Sequence, residues 1–286
     1  MGISTVGVVG AGAMGSGIAN LAAMSGFQVI LRDVEEKYLA GAMGRIGSFL
    51  DKSVAKGKMT AEQKAEIMQR IRVTTLLEEM KEADIVIEAV IEDLEVKKEV
   101  FSQLDAIVPE QVILATNTSS MSITTIAAAT KRPERVAGMH FFNPAQLMKL
   151  VEVVRGYKTS DETVEELKAF AKKLNKETVV VNKDTPGFIV NRIMIPQFIE
   201  AIRLLEEGVA SAEDIDKAVT LGLNYPMGPF TLQDYAGVDI GLHVMDYFYE
   251  EFKDNRFAAP LLLRQLVRAG RLGRKTGAGF YDYNQE

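Results

Sequence analysis

Gly10-Ala11-Gly12-Ala13-Met14-Gly15 follows an apolar β-branched run, Thr5-Val6-Gly7-Val8-Val9, and enters a stretch of helical pattern from Met14 to Ser25. In that setting glycines serve phosphate chemistry. Gly10 permits the tight turn, Gly12 lets a pyrophosphate approach the backbone at the helix N-terminus, and Gly15 allows close packing of helix on strand. Ala13 and Met14 belong to the same turn. A second apolar run, Phe27 to Leu31, leads to Asp33, whose carboxylate can accept hydrogen bonds from an adenosine ribose. A 2′-phosphate would meet that carboxylate, so the pattern favours NAD over NADP. The neighbouring Arg32 is of the type that can hold a 2′-phosphate.

Further polar clusters fall at the ends of later apolar runs, where ligands bind in sheets of this kind. Ile91-Glu92 follows the run Ile85 to Val90, and Lys97 lies one turn into the next helix. Asn117-Thr118-Ser119-Ser120 follows Val112 to Thr116. It reads equally as a helix N-cap or as a set of ligand contacts. His140-Phe141-Phe142-Asn143 closes the run from Val136. A dehydrogenase needs a proton acceptor near neutral pH, and His is the natural choice. The chain has two His. His243 lies in a helical pattern and reads as structural, which leaves His140. Glu152 sits among Leu150, Val151, Val153 and Val154, and a buried carboxylate needs a partner. A His–Glu pair would satisfy both groups, orient the imidazole and stabilise its protonated form.

These residues need a scaffold of alternating strands and helices. Near-continuous apolar strands separated by helices predict a doubly wound, mostly parallel sheet covered on both faces, an α/β fold of Rossmann type. Further strands are expected at Val151 to Val154 and Thr178 to Val181, around an amphipathic helix from Ser160 to Leu174. Between the second strand and Ile85, helical stretches from Tyr38 to Lys56 and from Thr60 to Gln69 form an inserted hairpin. After Lys183 the alternation stops. Residues 1–183 are therefore expected to form a dinucleotide-binding domain and residues 184–286 a smaller all-α domain. There a helical segment opening at Thr185-Pro186-Gly187 runs to Glu207, apolar on most of its circumference and kinked by Pro196 near Arg192.

Composition narrows the function. With 286 residues, 47% hydrophobic and 25% charged, the chain can bury a core, and it has no apolar run long enough for a membrane span. Its net charge of −6 argues against a dedicated nucleic-acid partner. It has no Cys, which excludes disulfides and thiolate chemistry and fits a reducing cytoplasm. Met1 to Val9 lacks the basic region of a signal peptide. Two His residues leave no basis for a His-rich metal centre, and no metal is needed.

The motifs GAGAMGSGIA from Gly10, NTSSMSI from Asn117, GMHFFNPAQLMKLVEVV from Gly138, KDTPGFIVNRI from Lys183, NYPMGPF from Asn224 and KTGAGFYDY from Lys275 resemble the L-3-hydroxyacyl-CoA dehydrogenases along the whole chain, in particular the short bacterial enzymes acting on 3-hydroxybutyryl-CoA. The resemblance implies that His140 is the general base and Glu152 its partner, and that Ser119 and Asn191 hydrogen-bond the reacting oxygen. It implies that Asp33, Glu92, Lys97, Asn117, Ser119, Asn143 and Lys275 line an NAD site. The helical hairpin would touch the CoA moiety through Lys52 and Lys56, with Ser119 also facing the acyl-CoA thioester. On spacing alone these two lysines, four apart on one helix face, are either a solvated surface or a local anion site. The implied function is NAD-linked interconversion of (S)-3-hydroxybutyryl-CoA and acetoacetyl-CoA. Other readings are a β-hydroxyacid or sugar-acid dehydrogenase of related architecture, which generally carries a catalytic Lys, and a non-catalytic NAD-binding protein. A homodimer is expected through the second domain, because so apolar a helix needs neighbours on every side.

Overall fold

The computed structural model describes residues 2–283, and residue contacts divide the chain into two units that part between Phe188 and Ile189. In the first unit β1 (Thr5–Val9), β2 (Gln28–Arg32), β3 (Ile71–Thr74), β4 (Ile85–Glu88), β5 (Ile113–Thr116), β6 (Val136–Phe141), β7 (Leu150–Arg155) and β8 (Glu177–Val181) form one sheet, in the order β3-β2-β1-β4-β5-β6-β7-β8. Neighbours are parallel except β6 and β7, which pair antiparallel. The strand order reverses beside β1, so the chain leaves β1 and β4 toward opposite sides and opens a crevice at their carboxyl ends.

Both faces of the sheet are covered, which is why its central strands read as unbroken apolar runs. Ile18 of α1 (Ala13–Met24), Leu39, Ile46 and Leu50 of α2 (Glu36–Ala55), Ile67 of α3 (Ala61–Gln69) and Phe170 of α6 (Asp161–Lys173) pack in one cluster. Phe101 and Leu104 of α4 (Leu94–Ile107) and Ile126 of α5 (Ile123–Ala127) pack in the other. The insertion is the hairpin α2–α3. Its second helix starts with a complete capping box, in which Thr60 Oγ1 accepts from Gln63 N–H and Gln63 Oε1 accepts from Thr60 N–H. The fifty-residue stretch between β2 and β4 is not wholly helical, however, because it also contains the edge strand β3. Ile71-Arg72-Val73-Thr74 is too short, and too mixed in polarity, to read as a strand without β2 beside it.

The second unit is helical: α7 (Val190–Glu206), α8 (Ala212–Gly222), α9 (Pro229–Ala236), α10 (Val238–Phe252) and α11 (Leu261–Arg268), packed around Phe198, Ile202, Phe230, Phe248 and Leu263. The long apolar helix is shorter and less enclosed than its composition implies. It begins at Val190, since Phe188 takes a left-handed φ of 50°, and Ile193 stays 58% exposed while Ile195, Phe198, Ile199 and Ile202 are buried. His243, read as structural, is exposed on α10. Two buried carboxylates fasten the last segment: Asp216 accepts from Tyr281 Oη, and Asp234 from the N–H groups of Phe280 and Tyr281. Among the described residues no helix is long and apolar enough to cross a membrane.

Candidate active site

The glycine turn joins β1 to α1 at the crevice. Gly10 has φ +105°, and a Cβ there would lie 2.5 Å from the Ala89 carbonyl oxygen. A Cβ on Gly15 would collide with the Gly10 carbonyl, whereas one on Gly12 would meet nothing within 4 Å. Gly10 and Gly15 are thus required by packing, and Gly12 faces open space. α1 carries no side-chain cap and no acidic residue in its first turn. Its first N–H groups, with the positive end of the helix dipole, form a cradle for an anion. At the end of β2, Asp33 turns its carboxylate onto this loop: Oδ2 accepts from Ala11 N–H at 2.6 Å and Oδ1 from Val34 N–H at 2.7 Å. Arg32 Nε donates to the Thr75 carbonyl at 3.3 Å. Arg45 of α2 holds the other side of the turn, donating to the Ala11 carbonyl at 2.5 Å and to Ser16 Oγ at 3.2 Å.

At the ends of β4 and β5 the structure gathers Glu92, Lys97 and Ser119 into one network, with Glu88 at its centre. Lys97 and Glu88 are essentially inaccessible. Lys97 Nζ lies 2.8 Å from Glu88 Oε1 and 3.2 Å from Glu92 Oε2. Glu88 also accepts from Thr116 Oγ1 and Val90 N–H, both at 2.7 Å. Glu92 accepts from Thr118 Oγ1 and from Ser119 N–H. Burial disfavours the charge on Lys97, but the attraction of Glu88 and then Glu92 outweighs it and holds the ammonium above the ordinary lysine range. The network fixes the backbone at Ser119, while Asn117 Oδ1 accepts from Phe141 N–H at 2.9 Å and ties the end of β5 to β6. Glu88 was missed in the sequence, although a carboxylate ending an apolar strand gave the same signal that singled out Glu152.

His140 and Glu152 are direct cross-strand partners in the β6–β7 register. Nδ1 of His140 lies 2.7 Å from Oε2 of Glu152, with 5% and 0% of the two residues exposed. A carboxylate accepts, so Nδ1 is the nitrogen that donates to Glu152, and in the neutral ring Nε2 bears the lone pair. Phe142 and Phe188 enclose the ring, with centroids 4.5 Å and 5.6 Å away. The result is a nearly dry imidazole locked in one orientation, suited to exchanging a proton at Nε2.

Beside the turn, a cleft of about 500 Å³ is lined by Ala13 and Ser16 of α1, by Arg45, Phe49 and Lys52 of α2, and by Asn143 after β6. Lys52 therefore reaches the cleft. Lys56, exposed at the end of α2, is not among the lining residues. In the second unit, Asn191 lies half-buried in the first turn of α7. Lys275, in the turn after Gly273, pairs with Asp239 at 2.6 Å. Burial pushes the Asp239 carboxyl up, but the bond to Lys275 outweighs it and holds the group below the usual carboxylate range.

Residues 5–185 match the model of the 3-hydroxyacyl-CoA dehydrogenase NAD binding domain, and residues 187–283 match that of the 3-hydroxyacyl-CoA dehydrogenase C-terminal domain. The chain belongs to the 3-hydroxyacyl-CoA dehydrogenase family. It is an NAD-dependent oxidoreductase, and the cradle at Gly12 with Asp33 beside it fits that cofactor. The 3-hydroxybutyryl-CoA dehydrogenase of Clostridioides difficile is 48% identical, over 97% of this chain and 99% of that protein. The mitochondrial hydroxyacyl-coenzyme A dehydrogenase of Sus scrofa is 46% identical over 98% and 91%. The crystal structure of the (S)-3-hydroxybutyryl-CoA dehydrogenase from Ralstonia eutropha superposes with a TM-score of 0.94 at 46% identity, covering 98% of this chain and 99% of that one.

Proposed function

We propose that the protein interconverts (S)-3-hydroxybutyryl-CoA and acetoacetyl-CoA, with His140 as the general acid and base. The observation that carries this reading is the buried His140–Glu152 pair, 2.7 Å apart at the carboxyl end of β6. In the oxidative direction Nε2 accepts the proton of the substrate hydroxyl, and in reduction it returns that proton to the forming alkoxide. Glu152 keeps the ring in one tautomer and balances the positive charge it gains. Ser119 hydrogen-bonds the reacting oxygen, a preorganised polar role. NAD, when bound, takes up or supplies the hydride at C3. The turn from Gly10 to Gly15 holds its pyrophosphate, Asp33 its adenosine ribose, and Glu92, Lys97, Asn117 and Asn143 shape the rest of its site. Lys52 draws the phosphates of the thioester into the cleft, and Lys56 adds long-range attraction at its mouth. The cysteine-free composition suits a reducing cytoplasm. The direct test is absorbance at the NADH band: acetoacetyl-CoA should oxidise NADH stoichiometrically, and a stable NADH signal with active, folded protein would refute the reading.

Asp33→Ala should raise the Kd for NADH about tenfold or more, the size expected for losing hydrogen bonds to a charged group. NADPH should suffer less, because its 2′-phosphate gains nothing from the carboxylate. Equal losses for both cofactors, measured by fluorescence titration, would remove Asp33 from cofactor selection.

The second unit is also proposed to form a homodimer. Ile193, Leu221, Leu223 and Leu261 are 58–76% exposed in the single chain, apolar surface that a two-fold contact would cover. Light scattering on dilute protein should give twice the chain mass, and a mass near 31.4 kDa would refute the dimer.

A further inference from the structure

The loop between β6 and β7 leaves the sheet after Phe141, and its Asn143, Pro144 and Gln146 make one wall of the cleft beside the glycine turn. Inside the loop the N–H groups of Leu147 and Met148 both reach the Pro144 carbonyl at 3.0 Å. The carbonyls of Ala145, Gln146 and Met148 converge on one ammonium. Lys176 Nζ donates to them at 2.7 Å, 3.4 Å and 2.7 Å.

Lys176 follows α6 and precedes β8, a place where a lysine reads as ordinary surface. It is instead only 8% exposed. Its backbone is fixed as firmly as its side chain. The Lys176 N–H closes α6 on the Ala171 carbonyl at 3.0 Å, and the next N–H, of Glu177, donates to Lys149 at the end of the loop. A buried cation has to be compensated, and here three carbonyl dipoles do so, with no carboxylate bonded to Nζ among the described residues. The converse follows: the cation holds three carbonyls of one loop turn together, a task that no neutral side chain with fewer donors can perform.

We propose that Lys176 is a positioning residue of the active centre, gathering the loop carbonyls and so fixing Asn143, Pro144 and Gln146 where cofactor and thioester meet the first unit. It touches neither ligand. The inference rests on the function proposed above for the loop, and the experiment separates the two.

K176M and K176R in the full chain test it, with hydrogen exchange, steady-state kinetics and NADH titration. In K176M the amides of Leu147 and Met148 should exchange at least about ten times faster, while those of β1 and β4 keep wild-type rates. Its kcat/KM for acetoacetyl-CoA should fall on the order of ten- to a hundredfold, the usual cost of misplacing a binding wall by an ångström. The Kd for NADH should rise too, through Asn143, but by less than kcat/KM falls, because its ribose and pyrophosphate contacts lie on the β1–α1 turn and Asp33. K176R, which keeps a cation with several donors, should recover most of the loss. Wild-type exchange and kinetics in K176M would overturn the proposal. So would a uniform loss of stability, NADH binding and turnover that K176R shares, since that pattern marks a merely structural lysine. Failure of wild-type protein to oxidise NADH with acetoacetyl-CoA would instead count against the proposed function, and the exchange rates would still decide whether Lys176 orders the loop.

Discussion

His140→Gln lowers kcat about 10²- to 10⁴-fold, the range for removal of a positioned acid–base group, with the Kd for NADH almost unchanged. The size of the effect follows from the geometry. Nδ1 is committed to Glu152 at 2.7 Å, and Phe142 and Phe188 keep water from the ring, so no second base stands ready to replace Nε2. Gln fills most of the volume and keeps hydrogen-bonding capacity, which separates loss of proton transfer from loss of packing. Glu152→Gln moves in the same direction, because an amide can donate to Nδ1 and hold the wrong tautomer. Residues that act as a unit are non-additive, so the double variant should be little slower than the worse single one. Pre-steady-state mixing with acetoacetyl-CoA reads the chemical step directly. A single variant with near-normal turnover would take His140 out of the mechanism.

Lys97→Met costs the fold about 3–5 kcal/mol, the penalty for removing one partner of a buried ion pair. Glu88, fully buried, would keep its bonds from Thr116 and Val90 but lose its only bonded cation among the described residues. Glu92 would lose the same cation, and with it the anchor of Thr118 and Ser119. The ammonium is held above its ordinary range. A group with a raised folded-state value contributes fully below its unfolded value of about 10.4, and its contribution is lost as pH rises through the higher folded value. The difference between wild type and variant should therefore be constant from neutral pH to about pH 9 in urea titrations and shrink only above the lysine range. Adding Glu88→Gln to Lys97→Met should restore part of the loss, since it removes the stranded charge. A difference below about 1 kcal/mol would show that the pair is no more than break-even.

Local chemistry and periodicity were enough to place the glycine turn, Asp33, the alternating strands and helices of the first unit and the change to an all-helical second unit. Those features depend on neighbours in the chain: a strand buried on both faces must be apolar throughout, and a turn against a helix end must be glycine where a Cβ would strike the backbone. Glu152 also announced itself, because a carboxylate among valines needs a partner wherever the strand lies. Other features belong to tertiary structure because they depend on register and reach between distant segments. The antiparallel offset of β6 on β7 sets His140 opposite Glu152; a shift of one residue would turn both side chains to the other face. Ile71 to Thr74 becomes a strand only because β2 offers an edge. The apolar circumference of α7 predicted burial on all sides, yet packing covers one face and leaves Ile193 outside, since composition states what a helix can bury and only its neighbours decide what it does bury. Lys176 and Arg45 carry no sequence signal at all, because long flexible cations look alike along a chain and acquire meaning from the carbonyls that folding brings to them.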